Sequence, residues 1–149
     1  MSYTVSPIST LLQQASQQLE KVSDSPLLDS QLLLAAILNK DRSYLMAWPE
    51  VIPSQQEAEL FQNYLLQRKE EIPVAYILGC KEFWSMPFKV TPDVLIPRPE
   101  TELLVEQVLE TTSHLSKPKI LELGTGSGAI AIALGKELPE ANIIATDLS

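Results

Sequence analysis

The chain has 149 residues, 45% of them hydrophobic, enough apolar material for one moderate core, or for two small ones if the second is only begun. Its 11 basic and 19 acidic side chains leave a formal charge of -8, the wrong sign for a groove built to neutralise phosphates, so direct contact with nucleic acid is not expected. No run approaches the roughly 18 apolar residues of a membrane span, no cleavable leader pattern opens the chain, and Cys80, as the single cysteine, excludes an internal disulfide and a cysteine metal cluster; a cytoplasmic protein with no membrane contact and no metal site is expected.

Helical spacing dominates the first half. Ile8, Leu11, Leu12, Ala15, Leu19 and Val22 recur at intervals of three and four, one apolar helix face that ends near Ser23. Ser25 followed by Pro26 offers an N-cap and a first-turn proline, and Leu28, Leu32, Ala35, Ala36 and Ile37 predict the stripe of a second helix. Asp41 to Ala47 fits one short helical turn. Pro53 and Ser54 introduce a third long helix through Ala58, Phe61, Leu65 and Leu66, which has to end before Pro73 because the residue ahead of a proline avoids helical geometry. Together these elements predict a small helical bundle over residues 1–72.

Beyond Pro73 the texture changes. Phe83 to Val90 is rich in aromatic and β-favouring residues, contains Pro87, and predicts a short, edge-type hairpin inside a linker over residues 73–98. Cys80 has no obvious activating neighbour and reads as a small packing residue. Pro92, Pro97 and Pro99 punctuate a loop before Thr101 to Glu110 resumes helical spacing through Leu103, Leu104, Val105 and Leu109. His114, the only histidine, falls in a polar connector and reads as solvated, not as a base or ligand. From Lys119 a buried strand is expected through Ile120, Leu121 and Leu123, then a glycine-rich turn, a helix through Ile130, Ile132, Ala133 and Leu134, and a second strand from Asn142 to Thr146. Strand, helix and strand open a parallel α/β sheet. Residues 99–149 hold only its beginning, so a truncated sheet with an exposed apolar face and an unpaired edge is expected, and with it a tendency to associate.

The chemistry is carried by Glu122-Leu123-Gly124-Thr125-Gly126-Ser127-Gly128, a carboxylate followed by glycine at every second position between a strand and a helix. Glycines let the backbone turn tightly and approach a ligand closely, and a helix N-terminus offers unpaired N–H groups to a negative group. Two cofactor classes fit. Gly124-x-Gly126-x-x-Ala129 with Asp147 further on satisfies a nicotinamide or flavin dinucleotide fingerprint. Glu122 and Gly128 favour the other class, since E-x-G-x-G-x-G resembles motif I of the class I S-adenosylmethionine methyltransferases, in which the turn receives the methionine end of the cofactor and a carboxylate ending the second strand grips the ribose. Asp147 stands where that carboxylate belongs; the lesser alternative is a cap for a following helix with Ser149.

Upstream, Pro73-Val74-Ala75-Tyr76-Ile77-Leu78-Gly79, then Phe83-Trp84, then Leu95-Ile96-Pro97-Arg98-Pro99-Glu100-Thr101-Glu102 are similar to the signature of the release-factor N5-glutamine methyltransferases. The resemblance is weak over residues 1–70 and strong over 73–149. It implies an α/β protein with an N-terminal helical bundle that recognises the substrate, a hairpin linker, and the start of a Rossmann-like methyltransferase sheet. It implies S-adenosylmethionine as cofactor, with Gly124, Thr125, Gly126, Ser127 and Gly128 forming the cofactor turn and Asp147 holding the ribose. Arg98, Glu100 and Thr101 would organise the pocket from nearby, and peptide chain release factors would be the protein substrate, methylated on the glutamine of a Gly-Gly-Gln loop. The family orients that glutamine with an Asn-Pro-Pro-Tyr turn. Asn39, Asn63 and Asn142 are followed here by Lys, Tyr and Ile, so no catalytic residue is assigned and these residues alone are expected to show no turnover. Three other functions stay open: a methyltransferase for a ribosomal-protein glutamine or a nucleic-acid base, a nicotinamide-dependent oxidoreductase, and a non-catalytic binding module.

Overall fold

The computed structural model describes residues 5–148. They divide between Leu78 and Gly79 into two compact units.

The first unit is all helix. The opening stripe behaves as its spacing predicts: in α1 (Ile8–Leu19), Ile8, Leu11, Leu12, Ala15 and Leu19 are all buried. In α2 (Pro26–Leu38) the buried set is Ser30, Leu33, Leu34 and Ala35, while Leu28 and Ala36 are exposed. The predicted stripe is therefore displaced, because the run Leu32–Leu38 is apolar all round and its period does not mark one face. Ser25 does occupy the N-cap position, but its side chain caps nothing; Ser23 Oγ accepts from the Ser25 N–H at 3.1 Å and donates to Asp29 Oδ2 at 2.7 Å. Asn39 closes the helix in the left-handed conformation (φ 51°), a role that asparagine fills more readily than most residues.

Asp41 caps the short α3 (Arg42–Ala47) through the Tyr44 N–H. Ser54 and Glu57 form a reciprocal capping box at the start of α4 (Gln55–Lys69). That helix stops short of the predicted limit at Pro73, and Glu71 turns the chain with φ 63°. A short helix, α5 (Val74–Leu78), then starts directly after Pro73, whose carbonyl accepts from Tyr76 and Ile77. Five residues are too few for periodicity to reveal. The core gathers Ile8, Leu19, Leu33, Leu34, Leu45, Phe61 and Leu65. Beside it Arg68 reaches across to Asp29 at 2.8 Å and to the Val22 carbonyl at 3.0 Å, tying α4 to α2 and to the end of α1.

The second unit starts with the hairpin, which lies earlier than predicted: β1 (Cys80–Phe83) pairs antiparallel with β2 (Met86–Lys89). The turn is Trp84-Ser85, both left-handed (φ 52° and 54°), the geometry of a type I′ turn built without the usual Asn-Gly. Pro87 sits inside β2 opposite Glu82. Cys80 is exposed at the first strand residue and is not a packing residue. After a 3-10 turn (Pro99–Thr101), α6 (Glu102–Thr112) buries Val105 but leaves Leu103 and Leu104 exposed. His114 lies exposed in the turn that follows.

Then β3 (Lys119–Leu123) and β4 (Asn142–Thr146) pair in parallel with α7 (Ala129–Glu137) between them in sequence. A core forms from Phe83, Phe88, Val105, Ala129, Ala133 and Leu134, with Ile120 and Ile143 packed against it. The opposite sheet face is uncovered. Leu121 and Leu123 are 63% and 75% exposed and Ile144 is 57% exposed, so β3 is not the buried strand that its composition predicts. An apolar strand is buried on both faces only when layers lie on both sides of it. Among the described residues, no helix is long and apolar enough to cross a membrane.

Candidate functional site

The site grows from the carboxyl ends of the two parallel strands, the edge where open α/β sheets bind ligands. The chain leaves β3 at Leu123 and makes its turn through Gly124, Gly126 and Gly128, all left-handed (φ 73°, 54° and 76°). An L side chain is strained there, which is the backbone reason for three glycines. A Cβ added at Gly124 or Gly126 would meet nothing within 4 Å, so glycine is required there for conformation and the backbone faces open space. Gly128 is the N-cap of α7, with no side-chain cap, and its N–H closes the turn on the Thr125 carbonyl at 2.9 Å.

Two carboxylates flank this turn. Glu122 Oε2 accepts from Thr125 Oγ1 at 2.9 Å, holding the turn from β3. From β4, the Thr146 carbonyl accepts from the N–H groups of Gly124 (2.8 Å) and Thr125 (3.0 Å), and Asp147 Oδ2 accepts from that of Gly126 at 2.7 Å. The alternative cap by Asp147 with Ser149 falls outside the described residues; Asp147 Oδ1 accepts from the Leu148 N–H at 2.8 Å. Backbone open to approach, bounded by two acidic groups, suits a ligand with a cationic centre and hydroxyl donors. Such a set fits a sulfonium nucleoside, and Asp147 fits any ribose.

Arg98, Glu100 and Thr101 belong to an earlier segment of the chain. They lie at and beside the 3-10 turn, Arg98 and Glu100 exposed, immediately before Glu102. Glu102 Oε1 accepts from the Trp84 backbone N–H at 2.6 Å, and the Trp84 indole N–H donates to Glu137 Oε1 at 2.9 Å. These groups share a cleft of about 310 Å³ with Ser85 and Lys136, at the last turn of α7. The glycine turn feeds the first turn of α7, and nine residues of helix separate its ends by about 12 Å at about 1.5 Å per residue. The structure unites Gly124–Gly128 with Asp147, and ties Glu102, at the end of the Arg98–Glu102 segment, to the hairpin turn at Trp84. Sequence reasoning missed Glu102 and Trp84 as the joint between these signature strings. Both residues stand in the strings themselves, but no local spacing shows which backbone N–H a carboxylate will find.

Helical unit, hairpin, and strand, glycine turn, helix and strand in this order make an α/β protein whose second part is the start of a Rossmann-like methyltransferase fold. Two family models match: one described as the PrmC N-terminal domain over residues 10–79, and one described as lysine methyltransferase over residues 98–149. Among curated proteins, the chain is 51% identical to a release factor glutamine methyltransferase of Coxiella burnetii, over 90% of this chain and 48% of that protein. It is 46% identical to the one from Vibrio cholerae, over 95% of this chain and 49% of the relative. Against the Escherichia coli (strain K12) protein of the same name the identity is 40%, over 91% and 48%. The chain is similar to release factor glutamine methyltransferases, and it spans about half the length of the relatives it matches.

Proposed function

We propose that the protein to which these residues belong transfers a methyl group from S-adenosylmethionine to the side-chain amide nitrogen of the glutamine in the Gly-Gly-Gln loop of peptide chain release factors, in the cytoplasm. Support comes from the names of the relatives and, within this chain, from one observation: a left-handed glycine turn between β3 and α7 lies against the Asp147 carboxylate at the end of β4. In this reading Gly124, Thr125, Gly126, Ser127 and Gly128 seat the methionine end of the cofactor and Asp147 accepts from the ribose hydroxyls. Arg98, Glu100 and Thr101 organise the cofactor pocket from nearby. The helical unit, residues 1–72 in the domain division proposed here, grips the protein substrate; a cleft of about 600 Å³ there carries Gln14, Gln55, Gln62 and Asn63, amides that can both donate to and accept from a polypeptide.

A bound sulfonium supplies an already activated methyl group, so the protein's part is to hold an in-line nucleophile close and dry. The residues of this chain contribute the seat. Glu122 braces Thr125, and the end of β4 braces Gly124 and Gly126. A carboxamide nitrogen is a poor nucleophile because its lone pair is delocalised into the carbonyl, and orienting it is a task this chain assigns to none of its own residues.

The test is a polypeptide of the relatives' length carrying this sequence, incubated with S-adenosylmethionine and a release factor. One added methyl on the loop glutamine, read by peptide mass spectrometry, is the expected result. Methylation of a ribosomal protein or a nucleic-acid base in place of the release factor would move the substrate; calorimetric binding of a nicotinamide dinucleotide with no response to S-adenosylmethionine would overturn the class. Residues 1–149 alone are expected to give no turnover in the same assay.

A further inference from the structure

The glycine turn is suspended from β4 by three successive N–H groups. Those of Gly124 and Thr125 reach a backbone carbonyl, that of Thr146; the N–H of Gly126 reaches a side chain, Asp147 Oδ2, at 2.7 Å. The second Asp147 oxygen accepts from the Leu148 N–H at 2.8 Å, which fixes the rotation of the carboxylate. Gly126 is left-handed (φ 54°) and open space lies where its Cβ would be, so packing on that side does not orient its peptide. Glycine is the residue with the widest conformational freedom, and a hydrogen bond to an ionised acceptor is about twice as strong as one between neutral groups.

We propose that Asp147 is a positioning residue for the glycine turn, its carboxylate setting the Gly126 peptide in the ligand-free protein. Only the coupling to a ligand rests on the function proposed above: the group assigned to the ribose would also shape the seat of the methionine end, so both ends of the cofactor would be recognised through one side chain. A carboxylate offers about four acceptor positions, so holding the N–H of Gly126 is compatible with accepting from a diol. Removing it would then disturb recognition at the end of the ligand that it does not touch.

The experiment uses the ¹⁵N-labelled 149-residue chain without ligand, comparing wild type, Asp147→Asn and Asp147→Ala by amide hydrogen exchange and amide proton shift. In Asp147→Ala the Gly126 amide is expected to exchange about tenfold or more faster, with its proton resonance moving upfield, because its charged acceptor is gone. Gly124 and Thr125, bonded to a backbone carbonyl, keep their wild-type rates and certify that the turn region is folded. Asp147→Asn keeps an acceptor oxygen and gives an intermediate rate; it decides the matter alone if the alanine variant does not fold. An unchanged Gly126 rate in either folded variant overturns the proposal. Adding S-adenosylmethionine separates the two ideas: a Gly126 response in the ligand-free variants, with no binding by a wild-type polypeptide of the relatives' length, removes the ribose assignment and leaves the positioning role standing.

Discussion

The two units of this chain solve the same problem, burying apolar side chains without stranding backbone groups, to different degrees. In the helical unit the three long helices turn apolar residues inward, and Ile8, Ala15, Leu19, Leu33, Leu34 and Phe61 are fully buried. In the second unit one sheet face is packed on α7 while Leu121, Leu123 and Ile144 on the other stand in solvent. The difference is physical. A helix satisfies its backbone bonds within itself, so a few helices close a core; a parallel strand needs neighbours at both edges and layers on both faces.

The sharpest way to probe that contrast is to damage the closed core. Phe61→Ala leaves a ring-sized hole at a fully buried site and is expected to destabilise the helical unit by about 3–5 kcal/mol, read as a lower urea midpoint of its helical circular dichroism. A loss below 1 kcal/mol would mean that the bundle is loosely packed. Next in size is Arg68→Ala. It leaves Asp29 without its guanidinium partner at a site where both side chains are only 13% exposed, with an expected loss of about 3 kcal/mol. Adding Asp29→Ala should cost less than the sum of the two single changes, since the two side chains share one interaction.

A smaller effect is expected at the capping box. Ser54→Ala removes one half of a reciprocal cap, for about 1 kcal/mol. The same hydrogen bonds, from the Ser54 side chain first and its backbone N–H second, hold the Glu57 carboxyl below its ordinary value of 4.5. A carboxyl lowered on folding stabilises above its unfolded value, and that contribution fades as pH falls through the folded value. Stability of the wild type should therefore fall more steeply than that of Ser54→Ala as the pH is lowered below 4.5, in parallel acid titrations followed by circular dichroism. The smallest effect on folding should come from the open sheet face. Leu123→Ser, at a residue 75% exposed, is expected to change stability by no more than about 0.5 kcal/mol while lowering self-association in sedimentation velocity. If it unfolds the second unit, that face is covered in solution.

Much of this is legible in the sequence. The stripe of α1, the helix starts at Asp41 and Ser54, the glycine turn and the parallel strand pair are dictated by short-range rules, because spacing, helix-starting residues and left-handed glycines act over a few residues. The limits fall where local signals are uniform or absent. The all-apolar run of α2 gives no face, five residues of α5 give no period, and Trp84-Ser85 lacks the Asn-Gly or Asp-Gly that advertises a type I′ turn.

Sequence alone thus determined most of the elements, their order, the signature strings and the glycines of the turn between β3 and α7. Only the tertiary structure decided that Asp147 meets Gly126 and that Glu102 meets Trp84. Each of these depends on which distant groups come within hydrogen-bond or packing distance. That is set by how helices and strands lie on one another, and no window of neighbouring residues contains it.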